Sequence, residues 1–215
     1  MAGMQHEPGA PDPYGEPTLR FAEPTLRFER PRGSLLGSLL VATPSLTDPS
    51  FERTVVLLIA HEQGGAMGVV LNRATEVRVS DVLEKWAPLA DEPAVLFEGG
   101  PVQPEAAICI ARVDRPEDPV PGFRPFFGRL GTVDLGGDPD ALRGRVDGLR
   151  LFAGYAGWAP GQLEEEIESG SWFTFSALPG DPFMSRPEDL WGLVLRRQGG
   201  LLAAVANYPP DPSLN

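Results

Sequence analysis

Residues Phe51 to Asn72, FERTVVLLIAHEQGGAMGVVLN, constrain the fold of this chain more than any other stretch. Thr54–His61 is apolar on both faces, the pattern of a strand buried inside a sheet. Ala66–Asn72 returns after Glu62-Gln63-Gly64-Gly65, a connection of hairpin type. A chain built on such a hairpin needs a sheet covered on both sides. Under simple alternation His61 shares a face with Val55, Leu57 and Ile59 and closes one end of the strand. It is the only histidine besides His6.

The remaining segments supply that sheet and its cover. Leu35–Thr43, Ala94–Phe97, Ala106–Val113, Leu130–Leu135, Leu149–Tyr155 and Trp172–Ser176 read as strands. Helices are predicted over Val79–Trp86 with Ser80 as N-cap, Asp138–Arg145, Pro160–Ser169 and Arg186–Gln198. Within Pro160–Ser169, Leu163 and Ile167 form the buried stripe, and the acidic run Glu164–Glu166 lies in the first half, where the helix dipole favours it. Asp114–Arg129 holds four prolines and reads as an irregular loop, and Leu201–Val205 as a last apolar run. Strands linked by hairpins, with helices interspersed later, give an α+β fold rather than a regular βαβ alternation. A single domain spans residues 33–215. Residues 1–32 form a solvated tail rich in Pro, Gly and charge. That tail contains a duplication, Glu16-Pro-Thr-Leu-Arg-Phe21 and Glu23-Pro-Thr-Leu-Arg-Phe28, which reads either as a chance repeat in a solvated tail or as a short linear motif that docks on a partner.

Composition narrows the function. The formal charge is −12, and Lys85 is the only lysine. Such a surface repels phosphate backbones, so direct nucleic-acid binding is not expected. One cysteine, Cys109, allows no internal disulfide. No run of about 18 apolar residues is present, and no basic-then-apolar leader opens the chain. The expected compartment is the cytoplasm, with no membrane association. The common phosphate loops and the nucleophile elbow are absent. Two histidines and one cysteine make a metal centre unexpected, and no cofactor is called for.

The polar residues that sit at strand ends are the site candidates. His61 reads either as a structural ring bonded to the turn or as a polar group at a cleft rim, able to act as a base. Asn72 closes the returning strand. Glu98-Gly99-Gly100-Pro101 reads either as a tight turn or as a place where backbone N–H groups meet a ligand. In Gly154-Tyr155-Ala156-Gly157-Trp158-Ala159-Pro160-Gly161-Gln162-Leu163-Glu164-Glu165-Glu166 a strand launches a helix. There Tyr155 and Trp158 either pack the corner or line a site, with Gln162 and Glu166 one turn apart. Cys109, between two isoleucines, reads as an inert core residue.

Four segments in this order resemble the YqgE/AlgH family of bacterial proteins. They are Thr43-Pro44-Ser45-Leu46 with Asp48-Pro49 and Phe51; His61 with Gly65-Ala66-Met67-Gly68 and Asn72; Gly99-Gly100-Pro101-Val102; and Gly154–Trp158 with Gly161–Glu164 and Glu166-Ile167. The resemblance covers most of the chain after Gly33. It implies a split sheet curled into a pseudo-barrel with flanking helices. It also implies a label of transcriptional regulator, which the charge of −12 disfavours as direct DNA binding. Many relatives carry a cysteine just before the histidine segment. Here that position falls near Ile59, so a thiol role does not carry over. Two functions follow as expectations. One is a binding or regulatory module with a small molecule or protein as partner, its site lined by His61, Asn72, Gly99, Gly100, Tyr155, Trp158, Gln162 and Glu166. The other is a small-molecule enzyme with His61 as base and Glu166 as its partner. Dimerisation through an exposed strand edge is left open.

Overall fold

The computed structural model describes residues 33–207. The duplicated motif of the tail and residues 208–215 lie outside them. Ten strands form one curled, largely antiparallel sheet. β1 (Ser38–Ala42), β2 (Val55–Glu62) and β3 (Gly65–Val70) make a meander, joined from β2 to β3 by Gln63-Gly64. β3 pairs with the end of a long strand, here β9 (Val146–Trp158), which pairs on its other edge with β6 (Val102–Val113). Beyond β6 lie β8 (Leu130–Val133) and then β7 (Phe123–Phe127). β10 (Trp172–Ser176) closes the other side against β1. β4 (Ala74–Arg78) pairs with β5 (Val95–Glu98), and β5 runs parallel to β9.

The sheet splits at one point. The edge of β9 that carries β5 up to Ala153 carries β3 from Ala156 onward. Gly99 sits in the fork: its N–H donates to the Ala153 carbonyl at 2.8 Å, and its carbonyl accepts from Val70 N–H at 2.9 Å. β9 bends there at Gly154, which has φ +69. The bend also swaps the faces of β9. Phe152 and Tyr155 both point into the inner core, whereas Leu149, Leu151, Ala156 and Trp158 point out.

Three apolar clusters follow. The inner one lies within the curl and packs the helix α3 (Leu190–Gln198) through Leu190, Trp191, Val194 and Leu195. On the outer face, α2 (Gln162–Glu168) lays Leu163 and Ile167 against Leu40, Val56 and Leu58. α2 connects the parallel strands β9 and β10 across that face. A third cluster, around Trp86 and Leu142, covers the outside of β6 and β9.

Several elements differ from the sequence reading. The predicted helix at 79–86 is one α-turn, α1 (Val79–Val82), with Arg78 rather than Ser80 at the N-cap position and no side-chain cap, followed by a 3-10 stretch, Glu84–Leu89. Pro88 removes an amide donor there. The Pro-rich loop contains β7, in which Pro125 is tolerated because β7 is an edge strand. The segment at 139–142 is a 3-10 turn, with Asp138 capping Asp140 N–H. The final apolar run is helical, α4 (Gly200–Val205), and its Leu202 and Val205 rest on the inner core. Among the described residues no helix is long and apolar enough to cross a membrane.

A polar cluster holds the β6–β9 end together. Asp147 accepts from Arg112 Nε at 2.6 Å and Arg129 Nη2 at 2.7 Å. Partial burial pushes the Asp147 carboxyl up, but the two guanidiniums together outweigh it and hold the group below the ordinary aspartate value. A depressed pKa contributes stability that is present above the unfolded value and lost as pH falls through the folded one. The melting-temperature gap between the parent and Asp147→Asn is therefore expected to be constant above about pH 5 and to close below about pH 4. The side chain is 39% exposed, so solvent screening keeps the gap under about 1 kcal/mol. A gap that widens on acidification would contradict this.

Candidate functional site

His61 lies on the outer face, not with Val55, Leu57 and Ile59. The β2–β3 register runs from Leu58↔Gly68 to Ala60↔Met67, so Ile59 is an extra residue in a β-bulge. One extra residue reverses the alternation beyond it. Met67, opposite Ala60, packs inward; Ala66, opposite His61, packs outward. Trp158 is opposite Ala66 on the other side, so His61 and Trp158 flank it, about 10 Å apart across two strand spacings.

Both ring nitrogens of His61 are engaged. Nδ1 accepts from Leu35 N–H at 2.8 Å, and Nε2 lies 3.0 Å from Glu164 Oε1. An N–H donating to Nδ1 requires the lone pair there, so the proton sits on Nε2 and points at the carboxylate. The ring is 8% exposed. The enzyme reading needed His61 as a base paired with Glu166. The partner is Glu164, and the lone pair a base would use is taken by the backbone of the incoming chain. His61 therefore fastens residues 34–35 to β2 and α2.

Trp158, Gln162 and Glu166 do meet, in a closed network. Glu166 Oε2 accepts from Trp158 Nε1 and from Trp172 Nε1, each at 2.9 Å. Glu166 Oε1 accepts from Gln162 Nε2 at 3.0 Å, and Gln162 Oε1 accepts from Ala159 N–H at 3.0 Å. Phe51 completes the aromatic group: its ring centroid is 5.5 Å from Trp172 and 6.3 Å from Trp158. Phe51 stands in the Thr43–Phe51 segment and Trp172 in a predicted strand, and neither position in the sequence signals this cluster. Its signal was the conjunction of two tryptophans with a helix carrying Gln162 and Glu166 at i, i+4.

Gly99 and Gly100 are buried at the fork, with the Gly99 N–H spent on Ala153. A Cβ at Gly99 would lie 2.2 Å from the Gly154 carbonyl oxygen, so the close approach is of backbone to backbone rather than to a ligand. Tyr155 borders the inner core, on the face opposite Trp158. Asn72 lies at the far end of β2 from His61. Its Oδ1 accepts from Val55 N–H and its Nδ2 donates to the Arg53 carbonyl, each at 2.9 Å. Burial pushes the Cys109 thiol well up from its ordinary value, so it stays protonated. Among the described residues no three His, Cys, Asp or Glu side chains gather to hold a metal ion.

The open feature beside these residues is a groove of about 400 Å³ around Asn72, lined by the turn after Asp48, by Arg73 and by the start of α3. Arg53 has φ +53, a left-handed conformation unusual for a side chain of this size, and Asn72 clamps its carbonyl. Its guanidinium lies over the Trp191 ring, 4.0 Å from the centroid. Arg73 donates to the Pro49 carbonyl at 2.6 Å. Gly192 forms part of the lining from inside α3, where glycine costs up to about 1 kcal/mol relative to alanine. The nearest atoms that a Cβ there would meet belong to the Arg196 guanidinium, the movable end of a long side chain. Gly192→Ala is expected to raise stability by about 0.5 kcal/mol, read as a higher urea midpoint at unchanged slope. A loss above about 1 kcal/mol would show that packing, not the opening of the groove, requires the glycine. No sequence motif announced this groove, because its arginines come from three separate segments.

The chain matches the AlgH-like family over residues 39–203. A UPF0301 protein of Streptomyces coelicolor is 54% identical over 185 residues, 85% of this chain and 96% of that protein. A UPF0301 protein of Mycobacterium tuberculosis is 48% identical over 181 residues, 83% of this chain and 90% of that protein. The crystal structure of a Corynebacterium diphtheriae protein is similar with a TM-score of 0.78 at 37% identity, covering 84% of this chain and 95% of that one. The solution structure of the AlgH protein from Pseudomonas aeruginosa gives a TM-score of 0.61 at 29% identity, over 83% and 98%. A match over this span, with relatives at this identity sharing the curled sheet, makes the chain a member of the AlgH-like family.

Proposed function

We propose that this protein is a binding module with a regulatory role rather than an enzyme, and that it recognises its ligand or partner in the groove beside Asn72. The observation that carries this reading is a contrast. Trp158, Gln162 and Glu166 spend their hydrogen bonds on each other, on Trp172 and on backbone, and His61 spends its own on Glu164 and on Leu35 N–H. The groove instead is open to solvent beside a strained, clamped turn at Arg53, and strain of that kind concentrates at functional positions. Its volume suits a small molecule or a short segment of a partner. The acidic charge disfavours DNA as that partner.

A thermal-shift screen against nucleotides, metabolites and metal ions tests the reading, using the parent and a Gly192→Trp variant that fills the groove. A ligand present at about 100 times its Kd stabilises the native state by about 2.7 kcal/mol. The expected result is a ligand that raises the melting temperature of the parent and leaves Gly192→Trp unmoved. Ligands that shift both equally would place recognition elsewhere, and turnover of a bound compound would overturn the non-enzymatic reading.

A further inference from the structure

We propose that residues 208–215 of this chain dock in the groove and compete there with the external ligand. The inference rests on the groove being the recognition surface and adds how access to it is controlled. It starts from where the chain leaves the described fold. α4 is seated on the inner core through Leu202 and Val205, and Ala206, the residue after it, is buried and lines the groove. Backbone bonds from Ala206 N–H to the Leu202 carbonyl and from Asn207 N–H to the Ala204 carbonyl hold the exit point. Tyr208 therefore begins two residues from the groove wall. The segment Tyr208-Pro-Pro-Asp-Pro-Ser-Leu-Asn215 is also long enough to cross the opening of about 400 Å³, since eight residues reach about 25 Å when extended.

The chemistry of lining and segment agrees. Arg53, Arg73 and Arg196 share the lining with Glu52, Glu188 and Asp189, so the groove has no net sign and favours neither a strong anion nor a strong cation. Residues 208–215 carry a single charge, Asp211, among prolines and uncharged side chains. Arg196 has no hydrogen-bond or ion-pair partner among the described residues, and its guanidinium lies over Gly192, where no side chain hides it. Asp211 stands five residues beyond Ala206, a tether long enough to bring its carboxylate to Arg196 on the same lining.

Docking of this segment costs little. Three of its eight residues are prolines, whose fixed φ lowers the entropy lost on binding. A short link raises the effective concentration of a segment to the order of millimolar, so a contact too weak to hold a free peptide holds a linked one. An external ligand then binds only the fraction of molecules in which the groove is vacated, and its apparent affinity falls by that fraction.

Amide NMR spectra of the full chain test this. The probe variant combines Tyr208→Ser, Pro209→Gly, Pro210→Gly and Asp211→Asn. It is expected to move the signals of Arg73 and Gly192, while Ala66 and Glu164 at the His61 end stay in place and show that the fold is intact. A peptide of residues 208–215, added to the variant at about millimolar concentration, should move Arg73 and Gly192 back. The same peptide should leave unmoved a chain that also carries Gly192→Trp. A compound from the screen that is lost on Gly192→Trp should bind the probe variant several-fold tighter than the parent. The proposal is overturned if the changes stop at Ala206 and Asn207, if the peptide moves no groove signal, or if the compound binds parent and variant equally. In that last case the binding-module reading stands and self-docking falls. If the segment docks but no compound displaces it, self-docking as a seat stands, and both the competition and the recognition reading fall.

Discussion

Replacing Glu166 by alanine is expected to lower the melting temperature by about 10 °C. Among the described residues the carboxylate is the only hydrogen-bond acceptor of two indole N–H groups, on tryptophans that are 6% and 1% exposed. Removing it leaves both buried donors unsatisfied, at about 1–3 kcal/mol each, and frees the Gln162 amide that caps Ala159. A combined loss of about 3 kcal/mol in a domain of this size corresponds to about 6–12 °C. Glu166→Gln should cost roughly half as much. Its oxygen can still accept both indoles, but its amide nitrogen then faces the Gln162 donor and forces that side chain to turn. Thermal melts followed by far-UV circular dichroism measure the difference, and tryptophan fluorescence reports directly on the two rings. An alanine variant within about 2 °C of the parent would show that the network is not structural.

That prediction reverses the emphasis a reader of the sequence gives to the Gly154–Glu166 segment. Its order was legible, a strand, a corner and a helix with Leu163 and Ile167 inward, but the strand predicted to end at Tyr155 runs on through Trp158 and the helix begins at Gln162 rather than Pro160. The split, curled sheet was legible only through the resemblance, because no local pattern marks where two strands share one edge of a third. The fork depends on Gly99, Ala153 and Val70, which are distant in sequence and joined by two backbone hydrogen bonds. The face of His61 was misread for a related reason. Alternation holds only while pairing is regular, and the bulge at Ile59 lies in a run whose apolar residues suit either face. β7 was hidden by its own composition, since Pro125 and the flanking prolines resemble a loop until β8 is seen beside them. Of the candidate site, Asn72 alone led to the groove. Arg53, Arg73 and Arg196 carried no signal, because a cluster of cations from three segments exists only once the sheet has brought them together.

Gly100→Ala is expected to cost more than about 4 kcal/mol and to leave little cooperatively folded protein. Gly100 has φ +151, a region alanine avoids. A Cβ there would lie 2.3 Å from the Tyr155 carbonyl carbon and 2.4 Å from the Ala156 nitrogen. These are backbone atoms, so no rotamer change relieves the collision. Nor can β9 retreat, because β6 holds it at Tyr155 and β3 at Ala156. Gly64→Ala is the control: it sits in the β2–β3 turn with nothing within 4 Å of its added carbon, and should fall within about 0.5 kcal/mol of the parent. Urea titrations of both variants separate the cases through midpoint and slope. If Gly100→Ala unfolds within about 1 kcal/mol of the parent, the fork is softer than its contacts require. If it fails to fold while Gly64→Ala does not, Gly99 and Gly100 are explained by the splitting of the sheet. The proposed binding reading then narrows to the open end of the hairpin, at the Asn72 groove, and leaves the His61 end as the anchor of the incoming chain.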